Sequence, residues 1–135
     1  MADCVYYNPN PFGNMTGDCV IRAICAVTGQ DWDTTYTGVT LQGFVLKQMP
    51  STNSVWDAYL RSKGFVREGI PDTCPDNCYT VNDFANEHSR GAYVLGTGDH
   101  AVAVIDGIVM DSYDSRQKTP LYFYVKKPDQ KEENK

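Results

Sequence analysis

A hairpin signal between His100 and Tyr113 constrains the fold more than any other segment of this chain. Two apolar, β-branched runs, 101–105 and 108–110, flank the dipeptide Asp106-Gly107. That dipeptide favours a two-residue type I′ turn. The turn sets a register in which His100 pairs with Tyr113, and strand alternation then puts His100 and Asp111 on one face, diagonal to each other. A one-residue slip would turn every apolar side chain to the other face, so the register is strongly specified.

A short helix is predicted over residues 16–29, with a cysteine in its first turn. Its apolar residues recur at helical spacing: Val20, Ile21, Ile24 and Val27. Thr16 is the predicted N-cap, Asp18 places negative charge at the positive end of the helix, and Gly29 is the C-cap. Cys19 then lies where free backbone N–H groups stabilise a thiolate and an oxyanion. A buried structural cysteine is the alternative for this segment taken alone.

The chain order Cys, His, Asp resembles that of papain-like cysteine peptidases, most closely the small bacterial and phage-type, bacteriocin-processing-like members. The matching residues are Gly17-Asp18-Cys19 leading into the helix, the block beginning at His100, and the block 106–115. The resemblance covers about residues 8–125. It implies a papain-like fold with Cys19 as nucleophile, His100 as general base and then acid, and Asp111 as the carboxylate that orients the imidazole.

The chain departs from the family at the oxyanion hole. Papain-like enzymes usually carry a glutamine six residues before the cysteine, and Gly13 occupies that position here. Asn14, one residue further along, is the predicted side-chain donor to the oxyanion. The sequence therefore predicts a cysteine hydrolase acting on an amide bond (a peptidase, isopeptidase or amidase) through an acyl-thioester. Acyl transfer by the same fold, or an inactive papain-like binding or inhibitory module, are the alternatives.

Composition narrows the class of partner. The 135 residues carry a net charge of −5, and no basic cluster is interleaved with aromatic residues, so a peptide or protein substrate is expected and nucleic acid is not. No apolar run is long enough for a membrane span, and no signal peptide is evident at the start of the sequence. Five cysteines is an odd number, which favours a reducing cytoplasm. No cofactor and no metal are expected, and the oligomeric state stays open.

The predicted elements divide the chain into a helical half and a strand half. Helices are expected near 31–49, 51–64 and 80–88, and strands near 65–68, 92–96 and 121–125, with a short edge strand at 4–7. This segregation predicts an α+β fold in which helices pack on one side of an antiparallel sheet. A single domain is expected over residues 1–125, followed by a charged, disordered tail at 126–135.

Several other ionisable or sulfur-containing residues have competing interpretations. Cys74 and Cys78 lie close together in a polar loop, and solvated thiols are expected there rather than a disulfide or a metal site, because zinc usually needs four ligands. Cys25 is expected in the core, and His88 on the surface at a helix C-terminus.

Two charged residues near the predicted triad are also ambiguous. Asp114 could replace Asp111 as the orienting carboxylate, but the strand count turns it to the opposite face. Arg22, one helical turn after Cys19, either holds Asp18 or lowers the pKa of the thiol; a solvated helix charge is the alternative.

Overall fold

The computed structural model describes residues 1–127 and contains four helices and six strands. The elements are, in chain order, β1 (Cys4–Tyr6), α1 (Cys19–Thr28), α2 (Trp32–Leu46), α3 (Asn53–Ser62), β2 (Phe65–Gly69), α4 (Val81–Glu87), β3 (Ala92–Gly96), β4 (Ala101–Ile105), β5 (Ile108–Asp111) and β6 (Tyr122–Lys126). The mixed α+β class is therefore confirmed. Within the described range, each helix is too short or too polar to cross a membrane.

The six strands form one open sheet in the order β1-β5-β4-β3-β6-β2. Four of the five strand pairs are antiparallel, whereas β1 lies parallel to β5 at the edge. The prediction of a wholly antiparallel sheet in the second half of the chain is wrong in this respect. The strand β1, from the N-terminus, is the edge strand beside β5, so the start of the chain belongs to the same sheet.

Helices cover both faces of the sheet. On one face, α1, α2 and α3 enclose a core with alternate residues of the central strands, including Val94, Ala101 and Ala103. On the other face, α4 packs against the intervening residues, which include Leu95 and Val102. The expectation that all helices lie on one side is therefore wrong for α4. A sheet with an apolar stripe on each face needs a cover on each side, and both sets of residues are almost wholly buried.

Local sequence signals account for the turn between β4 and β5. The predicted hairpin is confirmed: Val104 pairs with Val109, Ile105 pairs with Ile108, and Asp106 and Gly107 both have positive φ, as a type I′ turn requires. Ladder pairing continues only as far as Ala103 and Met110, so His100 and Tyr113 lie beyond the paired strands.

Helix N-caps follow the sequence less uniformly. Asp31 caps α2 by accepting a hydrogen bond from the backbone N–H of Thr34. At α1 the predicted cap, Thr16, is wrong, because Asp18 occupies the N-cap position and makes no side-chain cap bond. The Asp18 carboxylate bonds instead to the side chains of Arg22 and Trp32, which donate to one oxygen each.

The end of the described chain is part of the fold. Lys126 is the last residue of β6, and the backbone N–H of Lys127 donates to the carbonyl of Gly64. The prediction of disorder from residue 126 is therefore wrong for Lys126 and Lys127. The rest of the predicted tail lies outside the described residues.

Candidate active site

Cys19 is the first residue of α1, at the end of the helix that faces a cleft. The first N–H groups of a helix have no acceptor within the helix, so they are available to a thiolate or an oxyanion. Burial by itself would raise the pKa of the Cys19 thiol, but hydrogen bonds from the His100 ring and the Ala101 backbone, with the charges of His100 and Arg22, bring it below its ordinary value. The structure therefore gives this sulfur the environment of a reactive cysteine.

His100 and Asp111 form a short hydrogen bond. The Nε2 atom of His100 lies 2.6 Å from Oδ2 of Asp111, and the two side chains are 7% and 1% exposed. His100 immediately precedes β4, and Asp111 ends β5, so the hairpin brings them together. The predicted contact between these two side chains is confirmed. With Nε2 directed at the carboxylate, the other ring nitrogen is available to the thiol of Cys19.

The imidazole of His100 favours its protonated form. Burial lowers its pKa, but the hydrogen bonds and charges of Asp111 and Cys19 outweigh burial and raise the pKa to about 9. The shift of the Cys19 pKa is in the opposite direction. A thiol with a lowered pKa beside an imidazole with a raised pKa favours a thiolate–imidazolium pair near neutral pH, and the two groups titrate as a coupled pair.

Asp111 is held by four donors. Its Oδ2 accepts from His100 and, at 2.6 Å, from the Ser115 hydroxyl; its Oδ1 accepts from the Ser112 backbone N–H at 2.7 Å and from Nη2 of Arg22 at 3.2 Å. Burial would raise the pKa of this carboxyl, but the hydrogen bonds from His100 and Ser115 lower it. Asp111 is thus a buried, ionised carboxylate with a fixed orientation.

The cleft in front of Cys19 has a volume of about 630 Å³ and lies between the helices and the sheet. Aromatic side chains form much of its wall: Trp32, Tyr36, Trp56 and Tyr122. Its remaining lining includes Asn10, Asn14 and Asp99. A cleft of this size and mixed polarity accommodates several residues of an extended chain.

Two asparagines from the loop before α1 line this cleft. Asn14, the predicted oxyanion donor, is exposed, and its side chain makes no hydrogen bond within residues 1–127. Asn10 is half-buried, and its Oδ1 accepts from the backbone N–H groups of Phe12 and Asn14. The folded loop therefore brings a second asparagine, Asn10, to the cleft beside Asn14.

Arg22 is the site residue whose position the sequence left open. It is buried, with contacts to both Asp18 and Asp111, so the alternative of a solvated helix charge is wrong. The i, i+4 spacing of Asp18 and Arg22 predicts their ion pair from the sequence. The contact of Arg22 with Asp111 joins residues 89 positions apart, and no local pattern could have revealed it.

The competing residues lie elsewhere. Cys25 lies on the buried side of α1, in the core, as predicted. Asp114 has a largely exposed side chain and pairs with Arg116, so it does not replace Asp111. His88 is the C-cap residue of α4, and its Nδ1 lies 2.8 Å from the carbonyl oxygen of Phe84.

Cys74 and Cys78 form a disulfide, with their Cα atoms 4.4 Å apart. The expectation of two solvated thiols is therefore wrong: four residues of separation with an intervening turn let the sulfurs meet. Throughout residues 1–127, the structure contains no cluster of three or more His, Cys, Asp or Glu side chains suited to a metal ion.

No protein-family model, curated protein or solved structure matches this chain. The chemical interpretation of the site therefore depends on the arrangement of Cys19, His100, Asp111 and their neighbours.

Proposed function

We propose that this protein is a cysteine hydrolase, with a papain-like arrangement, that cleaves an amide bond in a peptide or protein substrate. The observation that carries the proposal is that Cys19, at a helix N-terminus, and His100, bonded to Asp111 at 2.6 Å, line the same open cleft. A histidine that is held by a carboxylate and shares a cleft with a thiol has the arrangement of a general base between its orienting group and its nucleophile. The proposal requires Cys19 as a free thiol, which it is in this structure.

The reaction would begin with attack of the Cys19 thiolate on the carbonyl carbon of the scissile amide. The negative charge that develops on the oxygen would be stabilised by the Cys19 backbone N–H and, we propose, by the side-chain amide of Asn14. The His100 imidazolium would then donate its proton to the leaving nitrogen as the C–N bond breaks. Water, deprotonated by His100, would attack the thioester and release the acid and the regenerated thiol.

Asp111 would keep the His100 ring in the orientation and tautomer that this proton transfer needs. Its lowered pKa keeps it ionised near neutral pH. It would therefore stabilise the imidazolium without taking the proton itself.

Selective alkylation tests the proposal without a known substrate. Iodoacetamide at neutral pH, followed by peptide mass mapping, should label Cys19 much faster than Cys4, since burial is the main cause that raises the pKa of Cys4. Cys25 is a buried internal control. Preferential labelling of Cys4, with Cys19 unreactive, would contradict the proposal.

Activity on a fluorogenic peptide library then separates an enzyme from a binding module. Cys19→Ala should abolish turnover while leaving the circular dichroism spectrum unchanged, whereas Cys4→Ser should retain turnover. Adding hydroxylamine distinguishes the fate of the thioester: a hydroxamate product reports capture of the acyl group by an amine. Rapid alkylation of Cys19 with no turnover on any amide would favour the inactive module.

A further inference from the structure

A buried arginine joins the N-terminus of α1 to the catalytic hairpin. Nη1 of Arg22 lies 2.6 Å from Oδ1 of Asp18, and Nη2 lies 3.2 Å from Oδ1 of Asp111. The Arg22 side chain is 9% exposed, and the carboxylates of Asp18 and Asp111 are 6% and 1% exposed. One guanidinium therefore bridges the residue before the nucleophile and the carboxylate that holds the base.

Stability alone does not explain this arrangement. Burying a guanidinium between two carboxylates carries a large desolvation cost, and apolar replacements of such groups are often neutral or stabilising. The Nε atom of Arg22 is moreover buried without a hydrogen-bond partner within the described residues, which adds a further cost. A costly buried charge beside a reactive thiol points to a role in the chemistry.

The charges around the thiol explain what the arginine contributes. In its reactive form the site holds three anions, Cys19, Asp18 and Asp111, and within residues 1–127 the only other buried cation beside them is His100. Without Arg22, two carboxylates would repel the thiolate with a single imidazolium to offset them. With Arg22, each carboxylate has a cationic partner, and the imidazolium remains available to the thiolate.

The shape of the guanidinium matters as well as its charge. Its two terminal nitrogens bond to two different side chains, and a lysine ammonium is a point charge without this fork. Because Arg22 and the Ser112 N–H occupy Oδ1 of Asp111, Oδ2 faces His100 and Ser115. The arginine thus helps to determine which oxygen meets the imidazole.

We propose that Arg22 is a positioning residue, which ties Asp18 at the start of the nucleophile helix to Asp111 and thereby aligns His100 with Cys19. This inference rests on the proposed cysteine chemistry of the same site. Arg22 contributes the bridge between the two carboxylates. The other oxygen of Asp18 accepts from the indole N–H of Trp32, at 2.8 Å. The cleft wall, the nucleophile and the base are thereby linked in one network.

Other ionisable groups near the triad differ in kind from Arg22. Tyr122 lines the cleft from β6, and the Tyr113 ring lies 5.0 Å from the His100 ring, centroid to centroid. Asp99 is exposed beside His100 and pairs with Lys118 at 3.7 Å. Cys4 on β1 lies close enough for the charge of Asp111 to raise its pKa. None of these groups bridges two members of the site.

The test compares Arg22→Met and Arg22→Lys with a matched control, Arg61→Met. Arg61 also pairs with an aspartate four residues before it, Asp57, but on the surface. The first readout is the rate of Cys19 alkylation by iodoacetamide against pH. At pH values below the parent midpoint we expect Arg22→Met to react about tenfold more slowly than the parent, the equivalent of a one-unit rise in the pH midpoint. Arg22→Lys should keep the parent midpoint, because it keeps the charge.

The second readout is the NMR signal of the His100 ring proton directed at Asp111, with His88, the other histidine of the chain, as internal reference. Both Arg22 variants should shift or lose this signal, while Arg61→Met should not. If Arg22→Met fails to fold, Arg22→Lys decides the question by this signal alone.

Unchanged alkylation midpoints and an unchanged ring-proton signal in the folded Arg22 variants would overturn the positioning role. Neither readout requires turnover, so the inference and the proposed hydrolase activity can fail separately. Where turnover is found, both variants should lower kcat more than they raise KM.

Discussion

The two histidines of this protein lie in regions that contain similar residues but differ in geometry. His100 has a carboxylate at 2.6 Å and a thiol beside it. His88 lines a second cavity, of about 340 Å³, next to the loop of the Cys74–Cys78 disulfide. Each region therefore holds a histidine, an acid and cysteine sulfur.

The contacts of His88 leave it no catalytic partner within the described residues. Its Nδ1 bonds to the carbonyl of Phe84, and its ring stacks on the Phe84 ring with a centroid separation of 3.7 Å. The adjacent carboxylate, Glu87, accepts instead from the Tyr79 hydroxyl, and the nearby sulfurs are oxidised to a disulfide. The comparison teaches that partner geometry, and not residue composition, distinguishes a candidate active site from an aromatic cluster.

Replacing each histidine in turn gives the largest expected contrast. His100→Ala should lower kcat/KM by about 10⁵-fold or more, because the triad loses its only proton carrier. His88→Ala should keep activity within about twofold and lower the melting temperature, since it removes the aromatic packing of His88 on Phe84 of α4. Peptide hydrolysis and thermal melts of both variants test this. A comparable loss of activity in the two variants would remove the distinction.

Asp111→Asn should lower kcat by about 10⁴-fold, less than His100→Ala does, because the amide misorients the imidazole without removing it. The effect should be on kcat rather than KM. Asp114→Asn is the matched control, since that carboxylate is exposed and paired with Arg116. Steady-state kinetics would contradict the assignment if Asp114→Asn were the more damaging change.

Asn14→Ala should lower kcat by about 10²–10³-fold, the usual cost of losing one oxyanion donor, with KM little changed. Asn10→Ala is the variant to compare with it, because Asn10 lines the same cleft and its side-chain oxygen accepts from backbone N–H groups of the loop. Loss of kcat in Asn10→Ala, with none in Asn14→Ala, would assign the donor to Asn10.

The pH dependence of stability should reveal the coupling between His100 and Cys19. The His100 pKa is raised from 6.5 to about 9, so its contribution is complete below pH 6.5 and is lost as pH rises to about 9. The Cys19 pKa is lowered from 9.0, so its contribution is complete above pH 9 and is lost as pH falls through the lowered value.

These two contributions oppose each other in the parent protein. Cys19→Ser removes the Cys19 contribution and leaves Asp111 to raise the His100 pKa, so its free energy of unfolding should decrease more steeply than that of the parent as pH rises above 6.5. Urea unfolding at several pH values across this range would measure the difference. Parallel curves for the two proteins would contradict the assignment of the shifts to this pair.

Removing the disulfide should have the smallest effect. Cys74→Ser with Cys78→Ser opens a loop of only a few residues, for which loop-closure entropy predicts a loss of about 2 kcal/mol of stability. Turnover should not change, because the loop borders the cavity of His88 and not the cleft of Cys19. A marked loss of activity in a variant that still folds would connect the two regions.

Short-range features of this protein followed from its sequence. The Asp106-Gly107 turn, the hairpin register and the Asp31 cap depend on residues within a few positions of one another, and the structure agrees with each. The position of Cys19 at the start of a helix followed from the same local rules. Backbone preferences and side-chain periodicity act over one or two turns, so a sequence reports them directly.

Long-range partners were decided only by the tertiary structure. The sequence allowed Arg22 to be either solvated or paired near the site. The tertiary structure buries it, because the fold places Asp111 next to its guanidinium. The parallel pairing of β1, the position of α4 on the second face, and the cap at Asp18 rather than Thr16 have the same origin. Each depends on which distant segment is adjacent in space, because desolvation and charge pairing are determined by neighbours in the fold and not by neighbours in the chain.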